Sequence, residues 1–407
     1  MIRKRRRIVI TGLGVVSPIG TGKEKFWKAL INGKNGVRKA QKINTDLYDT
    51  HMVAEVKDFR PEKFINFKKI SLPTLTTQYA LAAIQMAIDD AYFSIGSCNR
   101  VGVVLGANTA DPLATARGTI YWSKHGYAAT PKAIYDNLYT NVHVVKCSRY
   151  FRLQGPSVFI PAACAAGNTA IIQAAEFIKA GIVDAMFAGG CDPMNHFAFG
   201  GFNKMRAMAP KYCQPFDRDR KGMIVGEGAG VVLLENRDNA IKRKAHIYGE
   251  VLGYGLACDA YSAAMPHPDG IGGIIATKSA LKMAKLKPKM IDYINAHGTG
   301  TITNDRMESK IVDKLFKKQG NNVLVSSIKS MVGHCMGAAS AIEACASAMI
   351  LERDIIPPNI NYKLSDPSCN INIVKNKAIK KKICYMISNS FAFGGSAAVI
   401  VFSKYQG

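Results

Sequence analysis

The sequence predicts an α/β layered protein built in two halves. Three observations carry this. Short β-rich runs alternate with helical stretches from one end of the chain to the other. At 407 residues the chain is long enough for two or three domain-sized units. No Pro/Ser-rich linker divides it, and the nearest seam is the charged stretch "ENRDNAIKRKAHIYGEV" at 235–251. The predicted halves are therefore residues 1–245 and 246–407, unequal in length and without a strong sequence repeat between them.

Each element follows from its local pattern. "RIVITGLGVVSPIG" opens the chain as a buried strand, 7–13, running into a glycine turn. Helical stretches follow at 23–32 and 74–92, then an apolar strand at 101–105. "GPSVFIPAAC" gives a strand at 157–161, and "AAGNTAIIQAAEFIKAG" has helical periodicity over 167–180 before stopping at Gly181. Strands at 184–189 and 229–235 complete the first half. In the second half, strands are predicted at 246–255, 291–295, 322–328, 384–388 and 396–403, with helices at 273–286, 304–317 and 337–351.

Composition narrows the class. Apolar residues make up 48% and charged residues 20%, as in globular enzymes, and no apolar run approaches a membrane span. The basic-then-apolar start resembles a secretion signal, but Gly12 and Gly14 break the run and no small-residue cleavage site follows. None of the ten cysteines forms a CxxC pair or has zinc-ligand spacing, so no metal is expected. Reduced thiols in a cytoplasmic protein are the simplest reading. The formal charge of +25 is dispersed; its only dense runs are "RKRRR" at 3–7 and "KNKAIKKK" at 375–382. Neither carries interleaved aromatics, which argues against nucleic acid. An acidic protein or anionic substrate suits such a field equally well.

Three residues then stand out. Cys164 lies in "PAACAAGN", at a strand-to-helix turn where unpaired N–H groups and the positive end of the helix dipole meet. That position favours a thiolate and leaves donors for a developing oxyanion. The bland alternative is an inert buried cysteine. His297, in "NAHGTGT", and His334, in "KSMVGHCMG", both follow apolar strands inside glycine-containing loops. The carboxyl ends of strands are where α/β sites assemble, and three such placements are improbable as packing alone.

These motifs, in order, carry a family resemblance. "RRIVITGLGVVSPIG", "PAACAAGNTAI", "PFDRDRKGMIVGEGAGVVLLE", "NAHGTGTITND", "KSMVGHCMGAAS" and "NSFAFGGSAAVIVF" together resemble the elongating β-ketoacyl-acyl carrier protein synthases. The resemblance spans nearly the whole chain and implies the thiolase fold, two pseudo-twofold halves in αβαβα layers. It implies decarboxylative Claisen condensation in fatty-acid or polyketide-type elongation, with Cys164 as nucleophile and His297 and His334 assisting decarboxylation. Lys329 and Glu308 match the family's lysine and acid, expected to support the histidine loops together. Backbone N–H groups of Cys164 and Phe393 match the oxyanion hole. Phe393 matches a mobile gate flanked by Phe391, and Phe202, Asn108 and Thr109 fall in acyl-pocket segments. Thr299 and Thr301 fall in the substrate-binding loop, and Lys68, Lys69 and Arg206 are candidate contacts for carrier protein.

No tightly bound cofactor is implied; the phosphopantetheine arm of an acidic acyl carrier protein delivers substrate. A homodimer is implied, or a heterodimer with a related subunit. Several positions depart from the family pattern: Ser396-Ala397 where Thr-Asn is usual, "GANTAD" at 106–111, "SLPTLTTQ" at 71–78, and Cys335 after His334. They point to a specialised pocket. Two alternatives stay open. A non-catalytic chain-length-factor subunit usually lacks the cysteine that Cys164 supplies. A coenzyme A thiolase uses a second cysteine near the C-terminus, and "NSFAFGG" offers none.

Overall fold

The computed structural model describes residues 6–71, 73–97, 100–108 and 111–407. Its first half contributes strands β1 (Ile8–Ser17), β2 (Val101–Gly106), β3 (Ser157–Ile160), β4 (Ala185–Asp192) and β5 (Gly228–Asn236). The second contributes β6 (Gly249–Cys258), β7 (Tyr293–Asn295), β8 (Leu324–Ser326), β9 (Asn372–Ile373), β10 (Tyr385–Phe391) and β11 (Ser396–Ser403). Along the hydrogen-bonded sheet the order is β3-β2-β4-β5-β1-β6-β11-β10-β7-β8-β9.

That order repeats itself about its centre. Setting aside the edge strand β9, each half runs third, second, fourth, fifth, first. The directions repeat too. β2 is parallel to β3 and β4, and β4 and β1 are antiparallel to β5. In the same way β7 is parallel to β8 and β10, and β10 and β6 are antiparallel to β11. The halves meet where Val9 pairs with Glu250 and Ile10 with Gly249.

Five helices build the layers: α1 (Leu75–Ala91), α2 (Ala166–Lys179), α3 (Ile271–Ala284), α4 (Ile302–Leu315) and α5 (Ala339–Arg353). α1 covers the outer face of the first half and α3 that of the second, while α2 and α5 lie between the halves and touch strands of both. The layer order is the αβαβα that the resemblance implied. Burial on every side explains why α5 has no polar face: Ala339 through Leu351 are all buried.

Small residues make the layers close. A Cβ on Gly14 would fall 1.8 Å from the Ala83 carbonyl of α1, and one on Gly255 would fall 2.0 Å from the Ala276 carbonyl of α3. Each half therefore seats its outer helix on a bare patch of its first strand. Between the halves, a Cβ on Gly167 would meet the Ala341 backbone nitrogen at 2.6 Å. Gly167 is thus small because two helices cross there, and Ala166 lies against the strand at Gly106, where a Cβ would fall 2.7 Å from its own.

The expected strands and helices are present, with ends shifted by a few residues. Helices Pro112–His125, Val142–Phe151 and His196–Lys204 were not expected. The first buries only Gly118, so it carries no apolar stripe to read. Among the described residues no helix is long and apolar enough to cross a membrane.

Candidate active site

The nucleophile candidate sits where β3 gives way to α2. A short turn, Ala163–Ala165, enters the helix, and Ala163 holds φ at +46°, a strained value for a residue with a Cβ. The bend presents Cys164 at the helix start. The Cys164 carbonyl accepts from Ser390 Oγ at 3.0 Å, which ties the turn to β10 of the other half.

The expectation of a depressed cysteine pKa is overturned. Burial pushes the Cys164 thiol up to about 12, and the Lys329 charge, pulling the other way, does not offset it. The thiol is only 6% exposed, and desolvation of the thiolate is the largest cause of the shift. At rest this sulfur is a thiol.

The histidines come from adjacent parallel strands. β7 and β8 pair in register, and His297 and His334 follow their carboxyl ends. Ser327 Oγ donates to the Gly298 carbonyl at 2.7 Å, joining the two loops. The rings meet edge to face, centroids 5.4 Å apart at 85°. His334 is pinned by its backbone N–H donating to the Ile224 carbonyl at 2.7 Å. Its Nδ1 accepts from the Met336 backbone N–H at 3.1 Å, so the neutral ring carries its proton on Nε2. Burial first, and the Lys329 charge second, hold both histidines well below their ordinary pKa. Both are neutral imidazoles at physiological pH.

Glu308 and Lys329 have separate partners. Glu308, from α4, accepts the backbone N–H groups of His297 and Gly298 at 2.9 and 2.8 Å and the Asn389 amide at 3.1 Å. It shapes the His297 loop. Lys329 pairs instead with Glu343 of α5, both side chains 1% exposed. Burial pushes the Glu343 carboxyl up to about 7, against the pull of Lys329. Sequence reasoning missed Glu343. Its signal was present: it is a lone acid in the apolar run "AASAIEACASAMI", and a buried acid needs a cation.

Cys164, His297 and His334 line one cavity of about 490 Å³. Thr299, Thr301, Phe202, Phe391, Phe393 and Arg206 line it as well. Phe391 sets its ring edge-on to His297, centroids 5.9 Å apart. Phe393, 41% exposed, leans on Phe202 with centroids 5.5 Å apart. It begins a turn whose Gly394 and Gly395 hold φ at +77° and +76°, a conformation only glycine adopts without strain.

Three expected site residues do not line this cavity. Asn108 donates its backbone N–H to Asp192 at 2.8 Å and does not line this cavity. Lys68 and Lys69 stand on the exposed turn Phe67–Lys69, where Lys69 lies over the Tyr150 ring, away from the cavity lining. Thr109 falls outside the described residues.

Among the described residues no group of three or more His, Cys, Asp or Glu is placed to hold a metal. The buried oxygens of Asn295 Oδ1, Glu343 Oε2, Ser388 Oγ and Asn389 Oδ1 lack hydrogen-bond partners among the described residues.

Beta-ketoacyl synthase family models match the chain twice: the N-terminal domain over residues 5–240 and the C-terminal domain over 248–363. The chain belongs to the β-ketoacyl synthase family and so to the acyltransferases of thiolase-like fold. Curated relatives point to one branch. The chain is 35% identical over 411 aligned positions to 3-oxoacyl-[acyl-carrier-protein] synthase 2 of Staphylococcus aureus, covering 99% of each. It is 35% identical to the protein of that name from Synechocystis, again covering 99% of each. Among solved structures, "The ishigamide ketosynthase/chain length factor" aligns with TM-score 0.93 at 34% identity, over 99% of this chain and 100% of that one. A β-ketoacyl synthase from Burkholderia phymatum aligns with TM-score 0.90 at 30% identity, over 98% and 100%.

Proposed function

We propose that this site performs a decarboxylative Claisen condensation, joining an acyl group to malonyl-acyl carrier protein during fatty-acid or polyketide-type elongation. The observation that carries the reading is the meeting of Cys164, His297 and His334, from three separate loops, in one cavity. Cys164 Sγ attacks the thioester carbonyl of an acyl group on the phosphopantetheine arm. The carbon–sulfur bond to the arm breaks, and the departing arm takes the thiol proton. The thiol is protonated at rest, so that transfer belongs to the attack itself. Backbone N–H groups of Cys164 and Phe393 hold the oxyanion.

Malonyl carrier protein enters next. Carbon dioxide leaves, and the electron pair of the broken carbon–carbon bond becomes an enolate. Neutral imidazoles serve here because they donate to the enolate oxygen without surrendering a proton to it. His334, with its proton placed on Nε2, is such a donor. The enolate carbon attacks the acyl-cysteine carbonyl, the thiolate leaves and takes a proton from water, and β-ketoacyl carrier protein departs. Lys329 and Glu308 position the histidine loops, Phe391 and Phe393 gate the cavity, and Phe202 lines the acyl path. Lys68, Lys69 and Arg206 meet the carrier protein.

The division into residues 1–245 and 246–407 is supported by the repeated strand order and by family-model limits at 240 and 248. A ketosynthase–chain length factor and a ketosynthase bound to its acyl-carrier protein stand among the structural relatives, supporting a carrier protein and a homologous partner subunit here. Nine free cysteines among the described residues support a reducing, cytoplasmic setting.

Offering the protein a panel of acyl carrier protein thioesters and weighing it afterwards tests the reading. One acyl mass on Cys164 is expected. No acyl mass, or one on another cysteine, rejects it.

A further inference from the structure

We propose that Lys221 and Arg206 form a two-cation clamp at the cavity mouth that grips the phosphate of the phosphopantetheine arm. This rests on the carrier-arm reading above and adds where that arm is recognised.

The two residues stand on neighbouring, aligned segments. Met208 and Met223 form a parallel bridge. The Met223 N–H donates to the Ala207 carbonyl at 2.9 Å, and the Ala209 N–H donates to the Met223 carbonyl at 2.8 Å. Arg206 and Lys221 each lie two positions before a bridge partner, on segments that the bridge holds together. Both residues are exposed and both line the cavity that holds Cys164.

Like charges side by side repel, and here nothing on the protein offsets them. Neither side chain has an ion pair or hydrogen bond among the described residues, and no Asp or Glu lines the cavity. The pair is also held at a cost. Arg206 sits at φ +53°, where a residue with a Cβ is strained. The Gly222 N–H donates to the Gly300 carbonyl at 3.0 Å, which fastens the Lys221 segment to the Thr299–Thr301 loop. Two fixed cations with no anion of their own call for one in the ligand.

The arm carries that anion. A phosphate presents two or more free oxygens, which an Arg fork and a Lys point charge hold together. The rest of the arm is neutral and must thread the apolar cavity to reach the sulfur. A phosphate gripped at the mouth sets the arm's entry point.

Carrier-free thioesters isolate this contact. The probes are S-acyl 4′-phosphopantetheine and S-acyl pantetheine with the same acyl group, and the readout is the rate of acyl loading on Cys164. Wild-type protein is expected to prefer the phosphorylated probe about tenfold or more, the worth of one charge-assisted contact. The preference should fall at least threefold in Lys221→Gln and in Arg206→Gln, and drop below one in Lys221→Glu. Equal use of both probes by wild type, or a preference these variants leave unmoved, overturns the clamp. So does loading from carrier-borne thioesters with none from the phosphorylated probe, since recognition then lies on the carrier surface. If no thioester of any kind loads Cys164, the parent reading fails instead.

Discussion

Cys164 and His334 stand on corresponding corners of the two halves, two and five residues ahead of the central helix of each. Each follows the third strand of its half, β3 or β8, and each precedes the central helix of that half, α2 or α5. Each corner opens its helix through a non-glycine residue in the left-handed region, Ala163 at φ +46° just before the sulfur and Met336 at φ +50° two residues after the imidazole. One strand–turn–helix corner thus holds a sulfur in one half and an imidazole in the other. The repeat in the sheet turns both corners toward a single cavity.

The elevated Cys164 pKa has a direct consequence. Alkylation of this thiol by iodoacetamide should climb steadily from pH 7 to 9.5, because burial pushes the pKa up to about 12 and the thiolate fraction grows with pH throughout. A rate that levels off below pH 8 would show a stabilised thiolate and would contradict the burial argument.

Removing one enolate donor should separate the two half-reactions. His334→Ala is expected to slow decarboxylation of malonyl carrier protein by roughly 10²–10³, the usual cost of one oxyanion donor. Cys164→Ala should abolish acyl loading while decarboxylation persists. Release of carbon dioxide and protein mass report the two steps. Equal loss of both steps in either variant argues against the division of labour.

The Lys329–Glu343 pair should be costly to break and tolerable to replace. Glu343→Ala leaves Lys329 buried without a counter-charge, with a loss of about 3–5 kcal/mol in unfolding free energy. The double change Lys329→Met with Glu343→Leu should recover much of that stability, though not the histidine environment. Urea unfolding measures both. A single-variant loss under 1 kcal/mol would mean the pair is not desolvated as described.

His143 sets a pH dependence of stability. It is fully buried against Phe159, centroids 5.0 Å apart, with no hydrogen-bond partner for either ring nitrogen among the described residues. Burial lowers its pKa from 6.5 to about 4. The unfolded chain takes a proton below pH 6.5 and the folded one does not, so this group's contribution is lost as pH falls from 6.5 toward 4. That amounts to about 3 kcal/mol at one pKa unit per 1.36 kcal/mol. His143→Phe should flatten the stability profile over this window. Identical profiles for wild type and variant would discount the histidine.

The site was readable wherever a residue's role is written in its neighbours. Cys164, His297 and His334 each end an apolar strand in a glycine-containing loop, and that pattern survives in one dimension. Glu308 was readable as an acid but not as the support of the His297 loop. Its partners, the backbone N–H groups at 297 and 298, exist only once α4 packs under β7. Asn108 is legible as part of an acyl-path segment, but not the bond from its backbone N–H to Asp192, 84 residues on. Lys68 and Lys69 are equally basic in sequence and in space, yet lie away from the cavity.

By itself, the sequence determined the alternation of strands and helices, the corner residues and the family, since local patterning and backbone limits act between near neighbours. Tertiary structure alone decided which corners converge, that the sulfur is a buried thiol, and that Lys329 answers Glu343. Charge and desolvation depend on what surrounds a group from every direction, and those surroundings come from strands and helices far apart along the chain.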